Sequence, residues 1–548
     1  MKDIRITYND NKQINVSLNT TYYELSKSVL LPNSIGVIVN GKAVNLNEKI
    51  TRSQDILFID KFNPYGNRMY VAGLKMIFEL AIKRLYPKAK VCYSYSIPKT
   101  IVANITSDIT LKKEEIDIIN DMVNEIIKQD IKFEKLIVKS NDAINYYNDI
   151  GNYVKSSNIK NITDPTVVLY KLDTLINYYY YEMPYSTGNI TDFKIKYYKD
   201  NQIIINYPVV AKDINEENTV NYDRIINSYK DGQKWLDIMG VPYIKDVNKL
   251  ISEGKINDFV KSSELNFNIE INLAAKMISE NKKIKYVMIS GPSSSGKTTI
   301  TKRLASYFKI YGLDPIVISL DDYYKERIDS PKDENGDYDF ECLQATDLEY
   351  LNSDITKLIN NETINLPKFN FVSGCKELSQ KKVSLKENSI ILLEGLHAIN
   401  DELLTFIPKE EKYKIFVSPY IPICIDEQNY ISNNDLRLIR RIVRDFRTRG
   451  YDVISTIKNS KKVRLGEEKY IIPLIPSADK VINTALSYEV GLLKVYVEPL
   501  LYSVDVTSEY YIETRRLLSF LKQFFSISSE YVPKDSILRE FIGGSEYD

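Results

Sequence analysis

The chain has 548 residues, with 73 Lys+Arg balanced by 73 Asp+Glu and a single histidine, His397. Zero formal net charge argues against a surface that binds nucleic acid or anionic membrane throughout, and one histidine excludes a His-rich zinc site or a relay between histidines. Apolar residues at 44% and charged residues at 27% describe a globular protein of about three domains, not a disordered chain.

Residues 1–60 alternate short β-runs, at 4–8, 14–18, 35–39 and 56–59, with a helical stretch at 22–30. Asn40-Gly41 after the third run marks a hairpin. This order predicts a small β-grasp domain with no chemistry of its own. Residues 61–225 read as α+β, with helices over 67–86 and 112–128, the second signalled by Thr110, and a hairpin over 193–209 turning at Lys199-Asp200-Asn201. Residues 226–283 read as a helical connector. From 284 to 505 the pattern changes. Apolar runs at 286–290, 315–320, 389–395, 413–418 and 478–483 alternate with helical patterns, which predicts an α/β domain with a parallel sheet covered on both faces. Residues 506–548 follow as a helical extension.

Cys92, Cys342, Cys375 and Cys424 form no CxxC pair. A disulfide framework or an all-cysteine zinc site is therefore not expected, and a reducing, cytoplasmic setting fits. The start, MKDIRITYND, has no apolar core of a secretory signal, and no apolar run is long enough to span a membrane.

The strand at 286–290 runs straight into Gly291-Pro292-Ser293-Ser294-Ser295-Gly296-Lys297-Thr298-Thr299, and a helical pattern follows. This is the G-x4-G-K-[ST] loop in the strand-then-helix context it requires. Backbone N–H groups from Gly291 to Thr299 can cradle phosphates, helped by the helix start. Lys297 is placed for the β- and γ-phosphates and Thr298 for Mg²⁺. ATP and Mg²⁺ are the expected cofactors. No N-K-x-D motif of a GTPase is suitably placed.

After the second strand come Asp321 and Asp322. An acid at the carboxyl end of a parallel strand faces the ligand crevice and can take the proton of an attacking hydroxyl. The third run, Ile390-Ile391-Leu392-Leu393, ends in Glu394, a second expected Mg²⁺ ligand. His397, just beyond, reads as structural, since Asp321 already fills the acid role. Arg437, Arg440, Arg441, Arg444, Arg447 and Arg449 lie on one helical stretch, with Leu438, Ile442 and Phe446 on another side. Arginine suits bidentate phosphate contact, so this reads as a lid over the donor phosphates, with a nucleic-acid-binding helix and a merely solvated basic face as the competing readings.

With these motifs in place, residues 284–505 resemble the uridine kinase branch of the phosphoribulokinase/uridine kinase family. GPSSSGKTT, SLDDYY, YDFECLQATD, LPKFNF, ILLEG and RLIRRIVRDFRTRG carry the resemblance in order. It implies that Asp321 is the base on a nucleoside 5′-hydroxyl, that Tyr324 lies on the substrate side, and that Glu341 binds the ribose hydroxyls. Arg441 matches an arginine near ribose and phosphates, and Arg444 and Arg449 match lid arginines. Phe369 and Phe371 belong to the substrate-side segment. The sequence departs from the family where a pyrimidine-contacting tyrosine and histidine stand as Phe369 and Gly374, and where a further lid arginine stands as Tyr451.

The front half resembles the N-terminal part of threonyl-tRNA synthetase: residues 1–60 its TGS module, and residues 67–91 and 173–196 its second, editing-type domain. The positions of that domain's metal-type cluster stand here as Ala72, Met76, Tyr179 and Met183, which supply neither imidazole nor thiolate. Both modules before a kinase, with the ending SILREFIGGS, look like a bacterial family of long nucleoside kinases. The expectation is ATP-dependent phosphorylation of a nucleoside, uridine or cytidine, in pyrimidine salvage, with a small-molecule nucleoside as partner, no membrane, and homo-oligomer formation left open. Two alternatives stand beside it. One is a nucleotide-gated RNA- or tRNA-binding protein working through the front half. The other is a kinase of another sugar or alcohol.

Overall fold

The computed structural model describes residues 3–9, 11–97, 100–108, 110–199, 201–208, 222–333, 336–370 and 373–547. The first unit comprises β1 (Asp3–Tyr8), β2 (Lys12–Ser17), α1 (Tyr22–Ser28), β3 (Gly36–Val39), β4 (Lys42–Val44) and β5 (Gln54–Ile59), in a sheet ordered β2-β1-β5-β3-β4. Ile4, Ile6, Val37 and Phe58 pack with Tyr22 and Leu25 of α1 to form its core. Thr21 and Glu24 cap α1 reciprocally.

The second unit is built round α2 (Pro64–Leu85), which Asn63 caps and Pro64 opens. Met69, Tyr70, Leu74, Met76, Ile77, Phe78 and Ala81 bury the helix on most sides. The unit also contains β6 (Lys90–Ile97), β7 (Thr100–Thr106), α3 (Glu115–Lys128), β8 (Glu134–Lys139), α4 (Ser140–Asp149), α5 (Tyr153–Ile162), β9 (Thr166–Leu172), β10 (Leu175–Asn177), β11 (Lys194–Lys199) and β12 (Gln202–Asn206), with Ala143, Tyr147 and Ile159 of α4 and α5 forming a second, smaller core against β9. These strands form two sheets, β10-β9-β8 and β11-β12-β7-β6. The hairpin of β11 and β12 forms where the sequence placed it, and its turn residue Asp200 lies outside the described residues. Thr110 does not cap α3. That helix begins at Glu115 without a side-chain cap, and Asn201 instead accepts the N–H of Leu111 at 2.6 Å.

Three helices follow, α6 (Asp223–Ile238), α7 (Ile244–Ser252) and α8 (Ile256–Glu280). They do more than connect. Phe259, Phe267, Ile271 and Ile278 of α8 share one core with Ile300, Leu304 and Phe308 of α9 (Lys297–Ile310).

The remaining chain contains β13 (Tyr286–Ser290), β14 (Asp314–Ser319), α10 (Leu348–Ile359), the hairpin β15 (Ile364–Asn370) and β16 (Cys375–Val383), β17 (Ser389–Glu394), β18 (Lys412–Ser418), α11 (Asn433–Thr448), α12 (Val453–Gly466), β19 (Lys480–Asn483), α13 (Glu489–Tyr502), α14 (Tyr511–Leu521) and α15 (Arg539–Ile542). Five strands form a wholly parallel sheet ordered β14-β17-β13-β18-β19. Successive residues point to opposite faces. Val287, Ile289, Ile390 and Leu392 therefore join the α8/α9 core, while Met288, Ile391 and Leu393 join Leu351, Ile355 and Leu358 of α10 on the other side.

The front half is fused to this sheet. Tyr95, Ile97 and Val102 of β6 and β7 belong to the same core as Met288 and Leu393, bridged by Ile225, Ile226 and Tyr229 of α6. The loop between β18 and α11 enters the second unit. Lys155 pairs with Asp426 at 2.9 Å, both side chains at most 1% exposed. Asn158 donates to the carbonyl of Ile425, Asn429 to that of Tyr178, and the N–H of Tyr93 to that of Glu427, at 2.7, 3.1 and 2.7 Å. Among the described residues, no helix is long and apolar enough to cross a membrane.

Candidate active site

The phosphate loop leaves the fully buried β13 and enters α9. Glycine is obligatory at both ends. A Cβ on Gly291 would lie 2.0 Å from the carbonyl oxygen of Val417, and Gly296 has φ +87° with Ile537 pressed against it. The hydroxyls of Ser294 and Ser295 are buried with no hydrogen-bond partner among the described residues. A loop shaped this way, with orphaned donors turned inward, fits a bound phosphate. Lys297 folds back to donate to the carbonyls of Gly291 and Pro292, at 2.9 and 3.2 Å. Thr299 donates to Glu540 of α15 at 2.6 Å, so the C-terminal segment forms a wall of the loop.

Thr298 donates to both carboxylate oxygens of Glu394, at 3.2 and 3.3 Å. Burial, and then the charge of Asp321, push Glu394 up to about 7. A hydroxyl and a carboxylate meeting beside the phosphate loop are a donor set that suits a hard divalent cation.

Asp321 sits in the 3₁₀ turn Leu320–Tyr323 at the carboxyl end of β14. Parallel pairing sets the preceding Ser319 opposite Glu394, which brings the two acids to one rim. Asp321 makes no hydrogen bond or ion pair within the described residues, while its charge acts on Glu394, Tyr324 and Arg449. Its neighbour Asp322 does different work. It accepts the N–H of Phe369 at 3.1 Å and so fixes the β15–β16 hairpin against the turn.

Tyr324 meets Phe369 edge to face at 5.9 Å. Burial and the charges of Asp321 and Glu341 hold the Tyr324 phenol well above its ordinary range. Glu341 is pushed up to about 8, by burial first and by Glu467 second, against the pull of Arg441 and Lys297. His397 donates through Nε2 to the carbonyl of Glu341 at 2.8 Å, since a carbonyl can only accept, and thereby braces the backbone under that acid. Phe371 lies outside the described residues. Gly374 has φ +75°, and a Cβ there would come within 2.9 Å of Arg327. Arg327 therefore occupies the space a side chain at 374 would need.

The raised pKa of Glu341 has a consequence for stability. A carboxyl held neutral up to about 8 in the fold, against 4.5 as its ordinary value, makes stability fall as pH rises through that window. Glu341→Gln should melt with wild type at the acid end and above it at the alkaline end, in thermal scans across the same window. A constant difference between the two would remove Glu341 as the source.

The arginine helix divides its side chains among four sets of partners. Arg441, Arg444 and Arg449 converge on the buried Asp445, at 3.2, 2.7 and 3.7 Å. Three guanidiniums on one carboxylate leave a surplus of positive charge beside Asp321 and Glu341. Arg440 is fully buried; it pairs with Glu489 at 2.7 Å and donates to the carbonyl of Thr484 at 2.7 Å, bracing the loop from beneath. Arg447 donates to the carbonyls of Phe541 and Glu540 in the C-terminal segment, at 3.1 and 2.9 Å. The buried face of the helix is Leu436, Ile439, Ile442 and Val443; Phe446, expected on the apolar side, is 55% exposed. Arg437 and Glu467 join the site as well. Arg437 donates to the carbonyl of Ser293 at 3.1 Å and pairs with Glu467, and Glu467 accepts the N–H of Ser293 at 3.0 Å. No sequence motif pointed to Glu467; Ile537 and Glu540 lie in the ending SILREFIGGS, which carried a resemblance but no role at the phosphate loop.

The four front-half positions Ala72, Met76, Tyr179 and Met183 are all buried in the α2 core. Beside them Lys75 lies among the rings of Tyr93, Tyr179 and Tyr430, at 4.9, 5.6 and 5.0 Å, and donates to the carbonyl of Gln428. Burial lowers its pKa to about 8.

The phosphoribulokinase/uridine kinase family model matches residues 286–490. A uridine kinase of Chlamydia pneumoniae is 30% identical over 197 residues, which cover 36% of this chain and 79% of that protein. The chain belongs to the phosphoribulokinase/uridine kinase family. Within that family, a uridine kinase of Ligilactobacillus salivarius is 29% identical over 204 residues, covering 37% of this chain and 86% of its own length. A solved structure of a possible uridine kinase from Bacillus stearothermophilus aligns at 20% identity and a TM-score of 0.27, over 40% of this chain and all of its own. Membership makes the chain a phosphotransferase of the kinase type, and the matched segment contains the phosphate loop, Asp321, Glu341, Glu394, the arginine helix and Glu467.

Proposed function

We propose that the chain transfers the γ-phosphoryl group of ATP to the 5′-hydroxyl of a nucleoside, uridine or cytidine, giving the 5′-monophosphate for pyrimidine salvage. The observation that carries this reading is Asp321, a carboxylate without a hydrogen-bond or ion-pair partner among the described residues, between the phosphate loop and the Tyr324–Phe369–Glu341 cluster. Asp321 takes the hydroxyl proton as the 5′-oxygen bonds to phosphorus. The bond from phosphorus to the bridging oxygen breaks, and ADP leaves with that electron pair. Lys297 exchanges its loop carbonyls for the donor phosphates. The charge surplus of Arg441, Arg444 and Arg449 offsets what develops on the transferred group. Thr298 and Glu394 would hold Mg²⁺, which when bound neutralises charge at the donor phosphates. A half-buried Glu341 whose pKa is pushed up to about 8 can in its protonated form both donate to and accept from a ribose diol, and Tyr324 and Phe369 offer an apolar wall to a base.

We read the front half as a TGS-like module and a synthetase-like second domain turned to structural use. In support, the four positions that correspond to the metal-type cluster of the resembled domain are packed into core, and the Lys75 ammonium donates to the Gln428 carbonyl of the kinase loop.

The test is a panel of nucleosides, sugars and sugar phosphates incubated with Mg-ATP and the purified chain, reading ADP and phosphorylated product. Nucleoside 5′-monophosphate from uridine or cytidine supports the reading. ADP formed with a sugar phosphate and with no nucleoside would overturn it.

A further inference from the structure

Glu467 presents an anomaly. The N–H groups of a phosphate loop are an anion site, yet here the N–H of Ser293 is already taken by a carboxylate, at 3.0 Å. The side chain of Glu467 is 5% exposed and is paired with Arg437, whose Nε also donates to the carbonyl of the same serine. Ser293 is thus held at both polar groups by one ion pair. The carboxylate also faces a second, half-buried acid, Glu341, and raises it. Negative charge placed there opposes the binding of any phosphate donor.

Two features show how the carboxylate can leave. Glu467 opens a π-helical turn, Glu467–Ile471, that continues α12, and single π turns recur at functional sites because their extra residue is easily re-registered. A cavity of about 110 Å³ adjoins the pair, lined by Arg68 of α2, Arg437, Lys461, Arg464 and Glu467, and by Asp435 and Glu513, whose charges are matched by Arg516 and Arg68. Lys461 makes no ion pair within the described residues, and its ammonium lies 5.6 Å from the Tyr510 ring. The cavity therefore offers both space and a cation to a withdrawn carboxylate.

We propose that Glu467 is a stand-in for a donor phosphate. In the donor-free protein it holds the Ser293 N–H and Arg437. When the donor binds, Glu467 withdraws toward Lys461, and Arg437 passes from its carboxylate to the phosphate. Arg437 is then a further phosphate-binding residue beside Arg441, Arg444 and Arg449. The inference rests on the kinase reading and deepens it.

The test is calorimetric titration of the full-length chain with Mg-ATP in the absence of acceptor. Glu467→Gln keeps shape and removes charge, so it should bind Mg-ATP roughly tenfold tighter than wild type. Arg437→Gln should bind it roughly tenfold weaker, and the double variant should fall below Glu467→Gln alone. Unchanged or weaker binding by Glu467→Gln overturns the proposal, since a mere brace gives no gain in affinity when cut. If Glu467→Gln does not fold, Glu467→Ala, which removes the same charge, is expected to show the same gain. Wild type that binds no Mg-ATP at all sinks the kinase reading itself; wild type that binds, with no gain in either variant, sinks only this inference.

Discussion

Asp321→Asn should lower phosphoryl-transfer turnover by about 10²- to 10⁴-fold, the usual worth of a positioned general base, with a melting temperature close to wild type. The second half of that expectation comes from geometry. Asp321 makes no hydrogen bond or ion pair within the described residues, so its replacement breaks no structural contact. The amide is nearly isosteric and cannot take a proton. One side effect has a definite sign. The Asp321 charge is the second cause holding Glu394 up, so its removal lets Glu394 ionise more readily and favours a cation there. A turnover loss in Asp321→Asn is therefore not explained by weaker metal binding. Lys297→Ala should lose turnover on a similar scale for a different reason, because donor phosphates lose their principal cation. Initial rates at saturating nucleoside, beside thermal melts, separate these effects from unfolding. Near-normal turnover in Asp321→Asn would remove that residue from the base role.

What was legible in the sequence was what local chemistry dictates. Continuous apolar runs mark the strands of a sheet buried on both faces, and Gly291 to Thr299 needs only its own spacing to announce a phosphate loop. Asp321 and Glu394 were readable because each ends such a run. Arg441, Arg444 and Arg449 share Asp445, an acid within the same helical stretch, so their grouping also lay within reach of the sequence. Arg440 and Arg447 carry the same side chain at the same spacing, yet brace Glu489 and the C-terminal carbonyls. Only the packing of α13 and α15 against α11 tells them apart. Phe446 ended up exposed because Leu436, Ile439, Ile442 and Val443 take the core-facing side, with Leu438 packed at its margin. Glu467, Glu540 and Ile537 reach the loop from 170 residues or more along the chain in sequence, as with Ser293 and Glu467, separated by 174. No window-based pattern can find such partners.

The fusion of front half and kinase is the other feature hidden from the sequence, and it yields the second large effect. Asp426 accepts from Lys155 at 2.9 Å, from the N–H of Gln428 at 2.8 Å and from the Asn429 side chain at 2.8 Å, with no exposed surface of its own. Breaking such a pair from one side strands a charge away from water and costs about 3–5 kcal/mol, far more than any surface pair. Lys155→Met should therefore destabilise the chain strongly. Adding Asp426→Leu should recover part of the loss, because two apolar groups leave no stranded charge. Chemical denaturation followed by far-UV circular dichroism measures both. The loop that carries Asp426 runs directly into α11, whose first turn is held again by Arg516 on Asp435 at 2.7 Å and by Arg68 from α2. Loss of the Lys155 anchor should thus reach the arginine helix before the sheet, as faster amide exchange in α11 than in β13 or β17. Uniform exchange across α11 and the central strands would mean that the front half stabilises the whole kinase and does not position its lid.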